Sequence, residues 1–256
     1  MLKTVDWKSR SKAAGIHLAF TGSVALVCSL LVFFLWYPFP YRELSGGQAL
    51  FGLIVAVDVV LGPILTWVVF DKRKPRPELI RDLCVIVMMQ VLALGYGIWS
   101  VYQARPVYLV HAVDRFVVVS AADVDPADLP LAESGYRNLP FSGVALVGLR
   151  PSRDGSERMK SFELALAGKD LPVRPEYWQP LNSDNQEIIR QRAQPIRILM
   201  GRTPENRALL ERWLEKNKVS EDQVLTLPVE SRSIFWTALL DANTLDIIGY
   251  VPLDPL

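Results

Sequence analysis

Three long apolar runs dominate residues 1–105 of the chain. They extend over His17–Trp36, Ala49–Phe70 and Leu83–Tyr102. At ~1.5 Å of rise per residue, a helix of about 20 residues spans roughly 30 Å, which is the thickness of a bilayer's hydrocarbon core. The pattern therefore predicts three transmembrane helices.

The second run carries one carboxylate, Asp58, near its middle. A charge at the centre of a membrane helix costs roughly 2.5–3.5 kcal/mol on insertion scales, so Asp58 needs a partner. The same run contains the pair Gly62-Pro63. Because proline removes one backbone hydrogen bond and crowds the preceding turn, we predict a helix kink at this pair.

Two polar residues of the third run are candidate partners for Asp58. Measured from the helix ends that flank the loop Asp71–Asp82, Asp58 would lie ~18 Å deep, Tyr96 ~20 Å deep and Gln90 ~10 Å deep. Depth therefore favours an Asp58–Tyr96 hydrogen bond, and the glycines flanking Tyr96 would let two helices approach closely. The alternative is that Asp58 meets a polar or cationic group on another membrane helix.

The remaining residues, 106–256, have the pattern of a soluble domain, and about 150 residues can bury a core of their own. The clearest helix is Pro204–Asn217, with Thr203 as its N-cap and one apolar face that should dock on a sheet. Weaker patterns predict a short helix over Ser183–Gln194. β-Branched and aromatic stretches predict strands at Val107–Val113, Arg115–Ser120, Gly143–Leu149, Gln223–Val229, Ser233–Leu240 and Leu245–Val251. We predict an α+β domain with a mainly antiparallel sheet, closed by a hairpin that turns at Asp241–Thr244.

Within residues 1–105, basic residues are concentrated in Met1–Ile16 and in Asp71–Asp82. The positive-inside rule puts both segments in the cytoplasm. Three spans then place the loop Pro38–Gln48 and the whole of residues 106–256 on the opposite side. The expected topology has a cytoplasmic amino terminus and a carboxyl-terminal domain on the other side of the membrane.

A cleaved signal peptide is the alternative interpretation of the first run, because such peptides are also basic and then apolar. The run is too long for a typical signal peptide. It also ends in Trp-Tyr-Pro-Phe-Pro, where a cleavage site would have small residues. We therefore expect it to be a membrane span.

Composition narrows the possible chemistry. The net charge of +1 argues against nucleic acid as a partner. The chain has two cysteines, Cys28 and Cys84, and two histidines, His17 and His111, so neither a disulfide framework nor a metal site is expected. His111 fits a structural role at a sheet surface. The common catalytic motifs are missing, so we expect no cofactor and no enzyme activity. The alternative is a small membrane enzyme that uses Asp58, the one acid within a predicted span.

An ordered set of short motifs adds a family resemblance, strongest over Trp36–Phe116. The motifs are Trp-Tyr-Pro-x-Pro, Gly-Gly, Val-Asp-x-x-Leu-Gly-Pro-x-Leu-Thr, Gln-x-x-Ala-Leu-x-Tyr-Gly and Arg-Pro-Val-Tyr, at Trp36–Pro40, Gly46-Gly47, Val57–Thr66, Gln90–Gly97 and Arg105–Tyr108. Together they resemble the TfpX/TfpZ family of type IV pilin accessory proteins.

The resemblance implies a bacterial inner-membrane protein that helps pilin subunits accumulate or enter the pilus. Its expected partners are a type IV pilin subunit, the pilus assembly machinery and the lipid bilayer. The alternative is a membrane-anchored sensor whose periplasmic domain binds a ligand. Against the sensor, only Met1–Ile16 and Asp71–Asp82 would be available inside the cell to carry a signal.

Overall fold

The computed structural model of the chain describes residues 6–232 and 234–254. The chain divides into two compact units, one ending at Ala104 and the other beginning at Arg105. The first unit contains three helices that are long and apolar enough to cross a membrane. The second unit is built on a single sheet with helices.

The helices of the first unit follow the predicted apolar runs, with two early starts, at Trp7 and at Arg76. The first helix begins ten residues before the apolar run because Asp6 caps it: a carboxylate oxygen of Asp6 accepts a hydrogen bond from the Ser9 backbone N–H at 3.2 Å. The apolar pattern therefore indicates where the membrane span would begin, whereas the N-cap residue indicates where the helix itself begins. The helices are α1 (Trp7–Leu31, continued by a π-helical turn over Val32–Trp36), α2 (Tyr41–Leu44), α3 (Gly47–Val69) and α4 (Arg76–Gln103).

Helix α3 packs against both α1 and α4, and it is antiparallel to each. The ring of Phe33, late in α1, lies 5.4 Å from the ring of Phe51, early in α3. Gly97 of α4 packs against Ile54 of α3, where a Cβ at Gly97 would lie 2.7 Å from Ile54 Cγ2. The close packing of α3 and α4 at this point therefore requires glycine.

At one end of the first unit, α1 and α4 meet each other as well. The fully buried Tyr37 donates a hydrogen bond from its hydroxyl to the Val101 carbonyl at 3.0 Å. The rings of Trp36 and Tyr102 lie 5.0 Å apart. These contacts form an apolar cluster that joins the carboxyl-terminal end of α1 to that of α4.

In its described residues, the second unit contains one eight-stranded sheet and four α-helices. The strands lie in the order β4-β3-β1-β2-β6-β7-β8, and β5 pairs with β6. The strands are β1 (Pro106–Ala112), β2 (Arg115–Ser120), β3 (Ala145–Leu149), β4 (Trp178–Gln179), β5 (Gln194–Pro195), β6 (Val224–Ser231), β7 (Ile234–Asp241) and β8 (Ile247–Val251). The helices are α5 (Gly155–Leu166), α6 (Ser183–Arg192), α7 (Ile196–Met200) and α8 (Pro204–Asn217).

The sheet is mixed, so the prediction of a mainly antiparallel sheet was wrong. Strand β3 runs parallel to β1, with Tyr108 opposite Ala145, and β6 runs parallel to β2, with Phe116 opposite Val229. Parallel neighbours need long connections, and segments 121–144 and 121–223 supply them. The alternation of apolar and polar residues indicates which face of a strand is buried. It does not indicate whether a strand distant in sequence pairs with it in a parallel or an antiparallel direction.

Local signals in this unit predicted several elements correctly. Helix α8 has its predicted bounds, and its N-cap Thr203 accepts a hydrogen bond from the Asn206 backbone N–H at 3.1 Å. Strands β7 and β8 form the predicted closing hairpin. At its turn, Asp241 Oδ1 accepts hydrogen bonds from the backbone N–H groups of Asn243 and Thr244 at 2.8 and 3.0 Å.

Helix α5 was not predicted from the sequence, because it exposes apolar residues and buries few of them. Its start is fixed by polar contacts: Asp154 accepts from the Glu157 backbone N–H at 2.8 Å, and the Arg150 guanidinium donates to both Glu157 oxygens at 2.7 and 3.0 Å. Those donated bonds lower the pKa of Glu157 to about 2. Helix α5 is therefore anchored by charge, a signal that apolar periodicity does not contain.

Two apolar clusters among the described residues contribute to the core of this unit. One surrounds Trp178 and Tyr108, whose rings lie 4.6 Å apart. The other packs α7 and α8 against β6, β7 and β8. There Trp213 covers Gly249, where a Cβ would lie 2.6 Å from the Trp213 ring, so the close approach of α8 to β8 depends on a glycine.

His111 is buried within β1. The sequence had led us to expect this histidine at a sheet surface, and that prediction was wrong. His111 is 1% exposed, and neither ring nitrogen has a well-formed hydrogen bond to the described residues. Burial disfavours the charged ring and lowers the pKa of His111, although the Val113 backbone and the Asp114 carboxylate act in the opposite direction. The folded unit therefore prefers neutral His111.

We predict that acid destabilises the second unit through His111. The unfolded chain protonates this histidine near pH 6.5, above the folded pKa, so the free energy of unfolding should fall as the pH drops below about 6.5. A His111→Phe variant should lose part of this dependence and match the wild type near neutrality. Protease resistance of residues 105–256 in the detergent-solubilised full chain, titrated with urea at about pH 7.5 and about pH 5, measures the effect. Equal acid sensitivity of the two proteins would contradict it.

Candidate functional site

The contact between α3 and α4 contains a polar pair, Asp58 and Gln90. Gln90 Nε2 donates a hydrogen bond to the backbone carbonyl of Asp58 at 3.1 Å. The approach is possible because residue 62 is glycine; a Cβ there would overlap the Gln90 amide. Gly62 thus makes room on α3 for the amide of Gln90.

Pro63 follows directly within the same turn, and α3 is continuous through it. Proline has no N–H, so the helical hydrogen bond that normally reaches the carbonyl four residues earlier is missing here. The amide of Gln90 brings a side-chain donor to this part of α3. The kink at Gly62-Pro63 stays a prediction.

Tyr96, which depth had favoured as the partner of Asp58, has a different neighbour. Its side chain is 70% exposed and its ring lies 5.8 Å from that of Trp99. Six residues separate Gln90 from Tyr96, which places them about 120° apart around α4 at 3.6 residues per turn. Tyr96 and Asp58 both line a second, smaller pocket between α3 and α4, but the side chain that bonds the Asp58 backbone is Gln90. Depth along the helix axis was therefore not enough to identify the residue that contacts Asp58.

A second polar pair joins α1 to α3. His17 Nδ1 and Thr66 Oγ1 lie 2.5 Å apart, within hydrogen-bonding distance. Neither residue was predicted as a partner of the other from the sequence. The available signal was that His17 begins the first apolar run and Thr66 lies near the end of the second, so antiparallel packing brings both to the same end of the helices.

An open groove of about 610 Å³ lies between α1 and α4, with α3 as its floor. It occupies the half of the first unit away from the Tyr37–Val101 contact. Among the described residues that line it, Asp58 is the one acid, and there is no lysine or arginine. We call this feature the α1/α4 groove; its walls are formed by Ala13, Ile16, His17, Phe20, Thr21, Val24, Asp58, Thr66, Phe70, Leu83, Val87, Gln90, Val91 and Leu94.

The groove is mainly apolar and carries a few polar groups. Its walls are almost entirely apolar, with polar groups at Asp58 and Gln90 and at the His17–Thr66 pair. Within residues 6–232 and 234–254, no group of three or more His, Cys, Asp or Glu side chains is placed to hold a metal ion. What the groove offers chemically is apolar contact together with the hydrogen-bonding groups of Asp58, Gln90 and the His17–Thr66 pair.

Comparison with known proteins now identifies the chain's relatives. A family model described as "Fimbrial assembly protein FimB" matches residues 5–46. The "Fimbrial assembly protein, serogroup I" of Dichelobacter nodosus is 33% identical over 246 residues, which cover 95% of each chain. The chain belongs to the FimB family of fimbrial assembly proteins.

Other relatives of this FimB-family chain have similar names. The "Fimbrial assembly protein, serogroups C1 and C2" of Dichelobacter nodosus is 38% identical over 122 residues, 48% of this chain and 93% of that protein. The serogroup E1 protein of the same organism matches as the serogroup I protein does, at 33% over 246 residues. No solved structure matches the chain.

We predict that the fit between Gly62 and Gln90 stabilises the pairing of α3 with α4. In a Gly62→Ala variant the Gln90 amide must move away, and the lost interhelical hydrogen bond should cost about 0.6 kcal/mol and at most about 1.7 kcal/mol. Gly52→Ala on the same helix is the matched control, because a Cβ there meets no described atom within 4 Å. Reversible unfolding in mixed micelles, followed by tryptophan fluorescence, compares the two variants. Equal stabilities would contradict the predicted role of Gly62.

Proposed function

We propose that this FimB-family protein is an inner-membrane accessory protein for type IV fimbriae, of the TfpX/TfpZ kind. It acts like a chaperone on the pilin subunit and supports the stability of the subunit or its assembly into the pilus. The observation that carries the proposal is the near full-length similarity to proteins named for fimbrial assembly. The motif resemblance over Trp36–Phe116 supports it independently.

The proposed membrane placement rests on helix length and charge. Three helices have the length and apolarity of membrane spans, and the basic segments Met1–Ile16 and Asp71–Asp82 favour the cytoplasm. With three crossings, residues 105–256 are periplasmic. A pilin waiting in the membrane has one apolar helix and one globular periplasmic domain. The two units of this protein offer surfaces suited to each part of that client.

An assembly role also suits the chemistry of the described residues better than catalysis does. An intramembrane aspartyl protease needs two carboxylates that share one site. The α1/α4 groove contains a single described acid, Asp58. We therefore propose a binding role for Asp58 and no catalytic residue in the groove.

The proposal predicts a specific deletion phenotype in a host that makes type IV fimbriae. Deleting the gene should lower the amount of pilin or of surface fimbriae severalfold, because unprotected subunits are degraded or remain unassembled. The remaining pilin should still be cleaved to its mature form. Immunoblotting of whole cells and of sheared fimbriae gives both readouts, and a plasmid copy of the gene should restore wild-type levels.

Two results would contradict this function. Unchanged pilin and unchanged fimbriae would show that the protein is dispensable for assembly. Accumulation of uncleaved prepilin would instead indicate a role in processing.

A further inference from the structure

We propose that the loop 137–144 of the second unit inserts the side chain of Phe141 into the head-group layer of the bilayer. The loop connects the 3₁₀ turn Ser134–Tyr136 to β3. The inference rests on the proposed membrane placement of the helices in the first unit, and it adds a lipid contact outside them. It assigns a membrane-binding surface to a unit whose sequence has the pattern of a soluble domain.

The position of the loop follows from Arg105, the first residue of the second unit. Helix α4 ends at Gln103, so one residue, Ala104, separates Arg105 from the end of the candidate span. The Arg105 side chain donates hydrogen bonds from Nε and Nη2 to the Pro140 carbonyl, at 3.3 and 3.1 Å. Chain connectivity and these two bonds therefore keep Pro140 and the adjoining Phe141 close to the end of α4.

The head-group layer extends to this point of the chain. The interfacial region adds ~5–7 Å on each side of the hydrocarbon core. The apolar run of α4 ends at Tyr102, and the chain advances ~6 Å from there to Arg105, because Gln103 and Ala104 keep a helical backbone. A chain that leaves the hydrocarbon core at Tyr102 is therefore still within the head-group layer at Arg105.

The loop exposes Phe141 while its neighbours are anchored. Phe141 is 60% exposed, whereas Leu139 packs against the apolar cluster around Tyr108 and Trp178. Residues 138–144 contain no charged side chain, so insertion into the head-group layer removes no charge from water. An aromatic ring held at this depth is stabilised by leaving water.

The area of the exposed ring favours lipid over a protein as its partner. One aromatic side chain buries ~150–250 Å². Each partner in a stable protein interface buries about 800 Å². The ring is too small to hold a second protein by itself, whereas the bilayer is already held at this surface by α4.

Spin-label accessibility in vesicles tests the proposal. The full chain, with Cys28 and Cys84 replaced by alanine, is reconstituted into vesicles of phosphatidylethanolamine and phosphatidylglycerol. A nitroxide is attached to a Ser142→Cys variant, next to Phe141 and likewise exposed. Its collisions with oxygen, which concentrates in lipid, are compared with its collisions with a water-soluble nickel chelate.

Two other labelled positions give reference values. Leu92, within α4 and 66% exposed, gives the value for lipid. Val113 is 56% exposed and gives the value for water, because β1 (Pro106–Ala112) carries the chain ~20 Å before it reaches this residue. We expect the oxygen-to-nickel collision ratio at Ser142→Cys to be severalfold above that at Val113→Cys and close to that at Leu92→Cys.

Substitution of Phe141 tests whether its ring is the anchor. In the Ser142→Cys background, Phe141→Asp should lower the ratio severalfold, to the value at Val113→Cys, because an ionised carboxylate resists leaving water. Phe141→Trp should keep the high ratio, since tryptophan is enriched at membrane interfaces. Protease resistance of residues 105–256 confirms that each variant is folded.

Three outcomes would overturn the proposal. A ratio at Ser142→Cys no higher than that at Val113→Cys would mean that the loop has no preference for lipid. Low accessibility to both oxygen and the nickel chelate would mean that a protein surface, such as a second copy of this chain, covers the loop. An unchanged ratio in Phe141→Asp would mean that the ring is not the anchor.

The Leu92→Cys label and the gene deletion separate this proposal from the proposed function. A water-like ratio at Leu92→Cys would overturn the membrane placement and the lipid contact together. A lipid-like ratio there with a water-like ratio at Ser142→Cys would overturn the lipid contact alone. A deletion that lowers fimbriation would then still support the assembly function.

Discussion

The membrane unit depends on one constraint: polar groups within a hydrocarbon layer must find partners inside the protein, because lipid offers none. Helix α3 meets this constraint on two sides. The Asp58 carbonyl accepts from Gln90 of α4, and Thr66 bonds His17 of α1. Asp58 and Thr66 are eight residues apart, so they point about 80° apart around α3. One central helix thus holds both of its neighbours through polar contacts.

The groove follows from that arrangement. Helices α1 and α4 are both attached to α3, and they meet each other at the end where Tyr37 bonds Val101. Toward the other end the space between them is open, and Asp58 lies at its floor. The contacts that stabilise the three helices therefore also leave an open apolar surface that carries the polar groups of Asp58, Gln90 and the His17–Thr66 pair.

The sequence predicted the elements better than it predicted their partners. Apolar length located the three long helices of the first unit, and caps and turn residues located α8 and the β7–β8 hairpin, because these signals are local. The parallel pairing of β1 with β3 depends on the path of segment 121–144, for which no local pattern exists. Helix α5 is anchored by Arg150 and Glu157 and lacks the apolar face that reveals a docked helix.

The candidate site shows the same limit at the level of single residues. Composition identified Asp58, Gln90 and Tyr96 as the polar groups to consider. Depth along the helices ranked Tyr96 first, whereas the structure turns Gln90 toward α3 and leaves Tyr96 beside Trp99. The rotation of α4 about its own axis is set by its packing against α3, here at Gly62 and Gly97 and through many apolar contacts. The sequence pattern does not show which of these contacts form. The His17–Thr66 pair needed the same three-dimensional information.

The central claim is that the protein crosses the membrane an odd number of times, which leaves residues 105–256 on the side opposite the basic loop. Reporter fusions test this most directly. An enzyme that is active only in the periplasm should be active when fused after Leu256 and inactive when inserted after Lys74. A reporter active only in the cytosol should show the reverse. Cytosolic activity of the fusion after Leu256 would contradict the topology and, with it, the proposed role in handling periplasmic subunits.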